Sequence, residues 1–287
     1  MRAMIFGCEG LLGSALQRVL PEKGVTVIAR FAGRASLNVA DAAAVEGAIA
    51  THRPDVVFNT AAFTDVDGAE DRKEESFATN ALGPENLAKA CTKHGARLIH
   101  YSTDFVFDGE SPVPYDEESP AFPLSTYGKG KLEGERRVRA VAAGHQVLRV
   151  GCMYGAGGRN FPSTMLRRLR AGETLSADDE RRVSPTWVVE VARLSAKLAA
   201  IATGGVFHLT AQGETTWAAF AALLAARGGL DGGKVHAVKG GTLALKAARP
   251  RRAVLVSRRL GEVGLAPLPP WQAELESYLR AEGAVPA

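Results

Sequence analysis

The sequence predicts an α/β fold: a doubly wound parallel sheet followed by a smaller C-terminal lobe. Over the first 150 residues, short apolar runs alternate with helical segments, as in successive βαβ units. A glycine-rich turn joins the first apolar run, at 3–6, to a helical pattern that begins near Leu12. Beyond residue 150 the alternation loosens. We therefore expect one domain over residues 1–150 and a lobe over 151–287, with some chain returning to the first domain.

The other elements are predicted from the same periodicities. Further strands are expected at 25–29, 55–58, 97–102 and 146–150. Helices are expected over 41–51, with Asp41 as the N-terminal cap, in a stretch ending near His94, and from Tyr127 onward. In the lobe, the pattern predicts an amphipathic segment at 161–170, a helix over 187–202, a strand at 206–209 and loops over 228–241.

Three glycines, Gly7, Gly10 and Gly13, occupy the first strand–helix junction. Glycine lets the backbone approach a pyrophosphate closely, and the free N–H groups at the start of the helix favour its negative charge. The turn therefore predicts a Rossmann-type dinucleotide site. A tight turn without a ligand is the alternative, because such a glycine pattern alone is weak.

Tyr127 and Lys131 are four residues apart in a predicted helix, so their side chains share one face. An ammonium beside a phenol favours the phenolate, and we expect it to lower the pKa of Tyr127 toward the working range. Such a pair on a solvated helix is common. Its position after a glycine turn and before the fifth strand favours a catalytic pair.

Ser102, Thr103 and Asp104 follow the fourth strand. Ligands of open parallel sheets bind outside the carboxyl ends of the strands. We expect the hydroxyl groups there to contact a substrate oxygen beside Tyr127, although a Ser-Thr pair can also simply complete the hydrogen bonds of a strand.

Composition and charge limit the classes of partner. The formal net charge is +4 in 287 residues, and no long basic tract is interleaved with aromatic residues, so no nucleic-acid partner is implied. No apolar stretch approaches the roughly 20 residues of a membrane span. The three cysteines form no CxxC motif, which is typical of free thiols in a reducing compartment. We expect a cytoplasmic protein without membrane partners.

These motifs resemble those of the extended short-chain dehydrogenase/reductases, and most closely the dTDP-4-dehydrorhamnose reductase family. The resemblance covers nearly the whole chain. Two stretches are fairly specific to this branch, Asp65-Val-Asp-Gly-Ala-Glu70 and Ser102-Thr-Asp-Phe-Val-Phe-Asp-Gly109. The other matching segments are Gly7-Cys-Glu-Gly-Leu-Leu-Gly13, Tyr127-Gly-Lys-Gly-Lys131, Arg159-Asn-Phe161, Ser184-Pro-Thr186 and Ala248-Arg-Pro250.

The resemblance implies reduction of the C4 ketone of a nucleotide-linked 4-keto-6-deoxysugar, most specifically dTDP-4-dehydro-L-rhamnose to dTDP-L-rhamnose. It implies that Tyr127 gives a proton to the forming alkoxide, that Lys131 binds the nicotinamide ribose and tunes Tyr127, and that Thr103 holds the carbonyl oxygen. The implied cofactor contacts are Gly7, Gly10, Leu11, Leu12, Gly13, Asn38, Val39, Ala61, Ala62 and Thr64, together with Tyr127 and Lys131.

Arg30 suggests which nicotinamide cofactor is used. An acidic residue after the second strand accepts from the ribose 2′-hydroxyl of NADH, whereas an arginine accommodates the 2′-phosphate of NADPH. Here Arg30 ends the predicted strand, Arg34 is close by, and no acidic residue occurs between Arg30 and Asp41. We expect NADPH, with NADH as a weaker alternative. An exposed arginine without this role is the other reading.

The expected substrate-binding residues are Thr103, Asp104, Phe105, Cys152, Asn160, Arg182 and Arg249. Cys152 stands where the family usually has a tryptophan, which removes a large stacking surface, and Phe105 replaces a tyrosine. These changes leave the identity of the sugar open. Arg181 and Arg182, with Arg159 and Arg249, either clamp a substrate diphosphate or form a solvated face.

A shared magnesium ion is not expected. The family's dimers often hold one through interface glutamates, and this chain keeps Glu190 but has Ala15 at another matching position. Losing a carboxylate ligand weakens such a site. We expect no metal, and either a monomer or a homodimer.

Two other functions remain open. Another extended-family reaction, epimerisation or dehydration of a nucleotide sugar, is disfavoured because dehydratases place two acids after the strand-four threonine, and here only Asp104 follows Thr103. A non-catalytic, cofactor-binding regulatory subunit is the second alternative, against which the intact Tyr127 and Lys131 argue.

Overall fold

The computed structural model describes residues 1–156, 160–240 and 245–281. Its strands are β1 (Arg2–Phe6), β2 (Thr26–Phe31), β3 (Val56–Asn59), β4 (Arg97–Thr103), β5 (Gln146–Val150), β6 (Met153–Tyr154), β7 (Leu175–Asp178), β8 (Arg182–Val183), β9 (Thr186–Trp187), β10 (Gly205–His208), β11 (Thr215–Thr216), β12 (Val235–Val238) and β13 (Arg252–Ala253). Its α-helices are α1 (Leu11–Glu22), α2 (Gly33–Ser36), α3 (Ala42–His52), α4 (Lys73–Phe77), α5 (Gly83–Lys93), α6 (Thr126–Val141), α7 (Phe161–Arg170), α8 (Val188–Ala199), α9 (Trp217–Arg227), α10 (Arg259–Glu262) and α11 (Trp271–Ala281).

A parallel sheet of six strands forms the centre, in the order β10-β5-β4-β3-β1-β2. The expected α/β fold class is confirmed. β5 coincides with its predicted range, whereas β2 begins one residue later than expected and continues through Arg30 to Phe31. Asp41 caps α3 as predicted, since its carboxylate accepts a hydrogen bond from the N–H of Ala44 at 3.0 Å.

Both faces of the sheet are covered, which explains why strands such as β1 and β3 are mostly apolar along their whole length. Along β1, Ile5 faces one core with helices α1 and α8, and the neighbouring Met4 faces the other core with α3 and α5. Several buried polar side chains, among them Glu135, Arg149 and His208, lie where α6 packs on strands β4, β5 and β10. That face, and the carboxyl ends of the strands, are where the chemistry-bearing residues gather.

The chain beyond residue 150 also builds this sheet. β10 pairs in parallel with β5, with Gly205 opposite Gln146, and α8 packs against α1. The chain beyond residue 150 therefore contributes to the first domain an edge strand, β10, and a helix that covers the sheet, α8. The division at residue 150 stays a prediction.

A second core lies in the C-terminal part, where α7, α9 and α11 pack around Phe220, Leu224 and Leu275. The loops expected over 228–241 are only partly correct. Residues 235–238 form β12, which pairs in parallel with β7. The sequence of β12, Val-His-Ala-Val, is too short and too polar to predict a strand by itself. The strand forms because it pairs with β7, which lies 60 residues earlier in the sequence.

Within the three described ranges, no helix has both the length and the apolar content needed to cross a lipid bilayer.

Candidate active site

A cavity of about 1030 Å³ opens at the carboxyl ends of β1, β3, β4 and β5. We call it the main cavity. It brings together most of the residues singled out from the sequence: Gly7, Gly10, Leu11, Leu12, Gly13, Asn38, Val39, Ala61, Ala62, Thr64, Thr103, Asp104, Phe105, Tyr127, Lys131 and Cys152 all line it. Segments separated by more than a hundred residues thus meet at one edge of the sheet, as the parallel topology requires.

The glycine turn fits a dinucleotide because it leaves no room for side chains. A Cβ on Gly13 would lie 2.2 Å from the carbonyl oxygen of Gly7, and one on Gly7, which has a φ of +78°, would lie 2.6 Å from the backbone nitrogen of Ala61. Gly10 precedes α1, and no side chain caps that helix. Its first N–H groups are therefore available to a phosphate, together with the positive end of the helix dipole.

Tyr127 lies in the first turn of α6, which begins after Ser125. The Ser125 hydroxyl accepts from the N–H of Gly128 at 3.1 Å and fixes the start of the helix. The Tyr127 hydroxyl lies close to the Thr103 side chain at the end of β4. The Phe105 ring meets the Tyr127 ring edge-on, with centroids 5.7 Å apart. The phenol is therefore held against the strand end and points into the main cavity.

The expected lowering of the Tyr127 pKa is wrong in this structure. Burial raises the pKa to about 12, the interaction with the Thr103 side chain opposes that shift, and the charge of Asp104 adds to it. Desolvation outweighs any stabilisation of the phenolate, and the nearby ammonium is engaged elsewhere. Tyr127 is consequently protonated at neutral pH, which suits a proton donor.

Lys131 is almost fully buried, at 2% exposure, one turn along α6 from Tyr127. Its Nζ donates a hydrogen bond of 2.5 Å to the carbonyl oxygen of Tyr101 in β4. Burial lowers its pKa to about 8, while the charge of Glu135 raises it. The ammonium is therefore largely charged at pH 7 and becomes mostly neutral above about pH 8.

Asp104 and Cys152 both line the main cavity. Asp104 is 3% exposed, and its Oδ1 accepts from the Thr103 hydroxyl at 2.9 Å. Burial raises its pKa to about 7. Cys152 has a φ of 47°, in the left-handed region that non-glycine residues seldom adopt, and burial raises the pKa of its thiol. Its thiol is therefore a small, neutral part of the wall.

Three of the expected substrate-binding residues do not line the main cavity. Asn160 caps α7, where it accepts from the N–H of Ser163 and donates to the carbonyl oxygen of Gly155. Arg182 is exposed on β8, between β11 and β13. Arg249 forms a two-pronged ion pair with Asp67, at 2.9 and 3.0 Å. Asn160 and Arg249 are thus engaged by other parts of the protein, and Arg182 lies away from the main cavity. Arg159 lies outside the described residues.

The ion pair between Asp67 and Arg249 changes the pKa of the carboxyl group. The hydrogen bond from Arg249 lowers the pKa of Asp67 to about 2. The pair ties the loop after β3 to the chain near the C-terminus. For Arg249, this favours a role in shaping the cavity rim over direct contact with a diphosphate.

The arginine placed on the cavity wall is Arg34, not Arg30. Arg30 is exposed in β2 and is absent from the lining, whereas Arg34 lines the cavity in α2. Glu75 pairs with Arg34 at 2.8 Å, and Thr79 accepts from it at 3.1 Å. The sequence pointed to this loop but not to the side chain that faces the cavity.

The sequence did not point to Met153, Val66 or Trp217, which also line the main cavity. Trp217 begins α9 in the C-terminal lobe, and its ring packs at a tilt against Phe161, with centroids 4.4 Å apart and an interplanar angle of 56°. The sequence signal that could have found it is a tryptophan directly after Thr216, the N-terminal cap of α9.

Among the described residues, no group of three or more His, Cys, Asp or Glu side chains is arranged to hold a metal ion. Glu190 instead forms an ion pair with Arg193, and Ala15 is buried in the core. That the protein needs no metal stays a prediction.

Comparison with known proteins decides the family. Residues 1–283 match the family model described as the RmlD substrate binding domain. The chain is 40% identical over 285 residues to a dTDP-4-dehydrorhamnose reductase of Streptomyces griseus, with 96% of this chain and 93% of the relative covered. The chain belongs to the dTDP-4-dehydrorhamnose reductase family. The expected family and enzyme class, an oxidoreductase, are confirmed.

Two further members bear on ligands. The chain is 36% identical over 277 residues to a Streptomyces antibioticus protein named as a probable dTDP-4,6-dihydroxy-2-methyloxan-3-one 4-ketoreductase, with 96% of this chain and 93% of the relative covered. The crystal structure of dTDP-4-dehydrorhamnose reductase from Bacillus anthracis, in complex with NADP, superposes with a TM-score of 0.92 at 30% identity and covers 98% of this chain and 99% of that one. The members of this family are thus named for reactions on more than one dTDP-linked sugar.

Proposed function

We propose that this protein reduces the C4 ketone of a dTDP-linked 4-keto-6-deoxysugar with NADPH, most specifically dTDP-4-dehydro-L-rhamnose to dTDP-L-rhamnose. One observation carries the proposal. A protonated phenol, Tyr127, and the hydroxyl of Thr103 line the same cavity as a glycine turn that fits a pyrophosphate.

In this proposal, bound NADPH supplies the hydride that the ketone carbon accepts. The hydroxyls of Tyr127 and Thr103 orient the carbonyl oxygen and stabilise the negative charge that develops on it. Tyr127 then gives its proton from Oη to the alkoxide. The ammonium of Lys131, fixed on the Tyr101 carbonyl, stabilises the resulting phenolate and holds the nicotinamide ribose.

The direct experiment mixes the protein with NADPH and dTDP-4-dehydro-L-rhamnose and follows NADPH consumption. The proposal expects multiple turnovers without added metal ions. Binding of NADPH without turnover, on a panel of dTDP- and UDP-linked 4-keto sugars, would instead support the regulatory-subunit alternative.

The sugar itself is the least constrained part of the proposal. Cys152 and Phe105 line the cavity where the family usually has tryptophan and tyrosine, so one side chain here is smaller and the other lacks a hydroxyl. Reduction of a different 4-keto sugar is therefore the second candidate. NMR of the products from the panel separates the two by the configuration at C4.

NADPH is proposed as the preferred cofactor because both nearby side chains, Arg30 and Arg34, are cationic. Arg30→Asp is expected to raise the KM for NADPH by more than about tenfold, since a carboxylate there repels the 2′-phosphate. Arg34→Gln is expected to have at least as large an effect, because Arg34 lines the cavity. The measurement is the ratio of kcat/KM for NADPH and NADH in each variant.

Arg18→Gln is the matched control, since Arg18 is exposed on α1 and is absent from the cavity wall. It removes the same charge and should leave the ratio unchanged. If Arg30→Asp and Arg34→Gln both keep the wild-type ratio, neither arginine recognises the phosphate.

The assignment also covers assembly and compartment. We propose a monomer or homodimer that acts in the cytoplasm without a metal requirement. All three cysteines are free, which agrees with a reducing compartment. Loss of activity on treatment with a chelator, restored by magnesium, would overturn the proposal on metals.

A further inference from the structure

A buried carboxylate lies one turn beyond Lys131 on α6. Glu135 is 1% exposed, four residues after the lysine and on the same face of the helix. The mechanism proposed above does not use it. A charged group so deeply buried is rare unless it is paired, so its partners indicate its role.

Arg149, on β5, binds Glu135 with two nitrogens. Its Nε donates to both carboxylate oxygens at 3.0 and 3.2 Å, and its Nη2 donates to Oε2 at 2.7 Å. Both side chains of the pair are at most 5% exposed. Replacing such a pair by apolar residues is often neutral for stability, so stability alone does not account for it.

The other side of the arginine is also fixed. Its Nη1 meets Nε2 of His208 at 3.4 Å, and its guanidinium lies over the Phe107 ring at 5.1 Å. Nδ1 of His208 contacts the carbonyl oxygen of Val256 at 2.9 Å, which makes Nδ1 the donor and leaves Nε2 to accept from Arg149. The carboxylate of Glu135 is thereby held in one place by a chain of contacts that crosses β5 and β10.

β4 connects this network to the lysine. The Ser102 hydroxyl donates to Oε1 of Glu135, and the preceding residue, Tyr101, provides the carbonyl oxygen that accepts from Lys131. The same two consecutive residues therefore hold both α6 side chains. A change at Glu135 reaches Lys131 through charge and through this short piece of strand.

The charged and titratable groups around Lys131 come from each packed element. On α6 they are Tyr127 and Glu135, and on β4 and its end they are His100, Tyr101 and Asp104. Burial and the lysine charge hold the pKa of His100 well below its usual range, so His100 is neutral. The pKa of Asp104 is raised to about 7, so its charge is partial at neutrality. Glu135 is the anion that supports the charge of Lys131.

We propose that Glu135 is a positioning residue for Lys131: fixed by Arg149 and Ser102, its carboxylate keeps the buried ammonium charged and held against β4, one helical turn from the reacting phenol. This inference rests on the proposed reductase function. Reduction is then fastest while Lys131 is charged, and it falls as pH rises through the lysine's pKa of about 8.

The test compares pH profiles of kcat/KM for wild type and Glu135→Gln. Removing the anion lowers the pKa of Lys131, so the alkaline limb is expected to move down by about one pH unit. Glu133→Gln is the matched control, because Glu133 is two residues away on the half-exposed side of α6, paired with Arg137. Its limb should coincide with that of wild type. Glu135→Asp, which keeps the charge, should restore most of the wild-type profile.

Arg149→Met makes the sign of the effect diagnostic. It frees Glu135 from its cation, so the limb should stay in place or move to higher pH. If Glu135→Gln does not fold because Arg149 is left unpaired, the double variant Glu135→Gln/Arg149→Met removes both charges and should still show the downward shift. Equal shifts in the same direction for both single variants would indicate general disruption and overturn the proposal.

A second readout needs no turnover. Protein labelled with ¹³Cε-lysine is titrated by NMR, and the Lys131 resonance is assigned by its absence in Lys131→Arg. The midpoint should fall by about one unit in Glu135→Gln and stay unchanged in Glu133→Gln. An unmoved midpoint refutes the role of Glu135, whereas a shifted midpoint in a protein that reduces no sugar refutes only the reductase function.

Discussion

Tyr127→Phe is expected to lower kcat for ketone reduction by about 10³-fold, because it removes the proton donor and one of the two groups that stabilise the alkoxide. The ring, its burial and its edge-on contact with Phe105 remain. NADPH affinity should therefore stay within about twofold of wild type, a difference well under 1 kcal/mol. Stopped-flow kinetics and fluorescence titration with NADPH measure the two quantities separately.

Tyr154→Phe is the matched control for this substitution. Tyr154 is also buried, but its hydroxyl has no hydrogen-bond partner among the described residues, and it lies in the core of the C-terminal lobe. Removing that hydroxyl should leave kcat unchanged. Nearly full activity in Tyr127→Phe would show that another group gives the proton, and Asp104, with its raised pKa, would become the first candidate.

Gly13→Ala is expected to weaken NADPH binding by about two orders of magnitude. The new Cβ would lie 2.2 Å from the Gly7 carbonyl oxygen and 2.7 Å from the Cα of Cys8, and both are backbone atoms that cannot move aside cheaply. Displacing the turn misaligns several N–H groups that bind the pyrophosphate, and charge-assisted hydrogen bonds are worth roughly 1.5–3 kcal/mol each. Calorimetric titration with NADPH measures the loss.

Two other glycines make the test graded. Gly10→Ala would place its Cβ 3.3 Å from the Gly7 carbonyl oxygen, a contact that small shifts relieve, so an intermediate loss is expected. Gly47→Ala in α3 meets nothing within 4 Å and should leave binding unchanged while stabilising the helix by roughly 0.5–1 kcal/mol. Equal NADPH affinity in all three variants would show that the cofactor does not lie on this turn.

The sheet and most of the site could be predicted from the sequence because they depend on local patterns of residues. Strands such as β3 are almost entirely apolar because both faces are buried, and Asp41 caps α3 through a contact only three residues away. The glycine turn, Thr103 and Tyr127 follow from the topology, since the carboxyl ends of parallel strands meet at one edge. Information of this kind is present within short windows of sequence.

The failures share a dependence on distant partners. Arg249 pairs with Asp67, 182 positions earlier in the chain, so its basic side chain is occupied by the protein itself. β12 exists because it pairs with β7, and the choice of Arg34 over Arg30 depends on how α2 turns toward the cavity. The sign of the Tyr127 pKa shift was wrong for a related reason: spacing shows the neighbouring ammonium, but only the packed structure shows how deeply the phenol is buried.

The most direct test of the reductase account uses NADPH that carries deuterium at the transferable position of the nicotinamide. The protein is incubated with this cofactor and dTDP-4-dehydro-L-rhamnose, and the sugar product is analysed by NMR. The account predicts one deuterium at C4 of the sugar and stoichiometric oxidation of the cofactor, with both lost in Tyr127→Phe. Deuterium at another carbon, or no consumption of NADPH with any 4-keto sugar nucleotide, would contradict it.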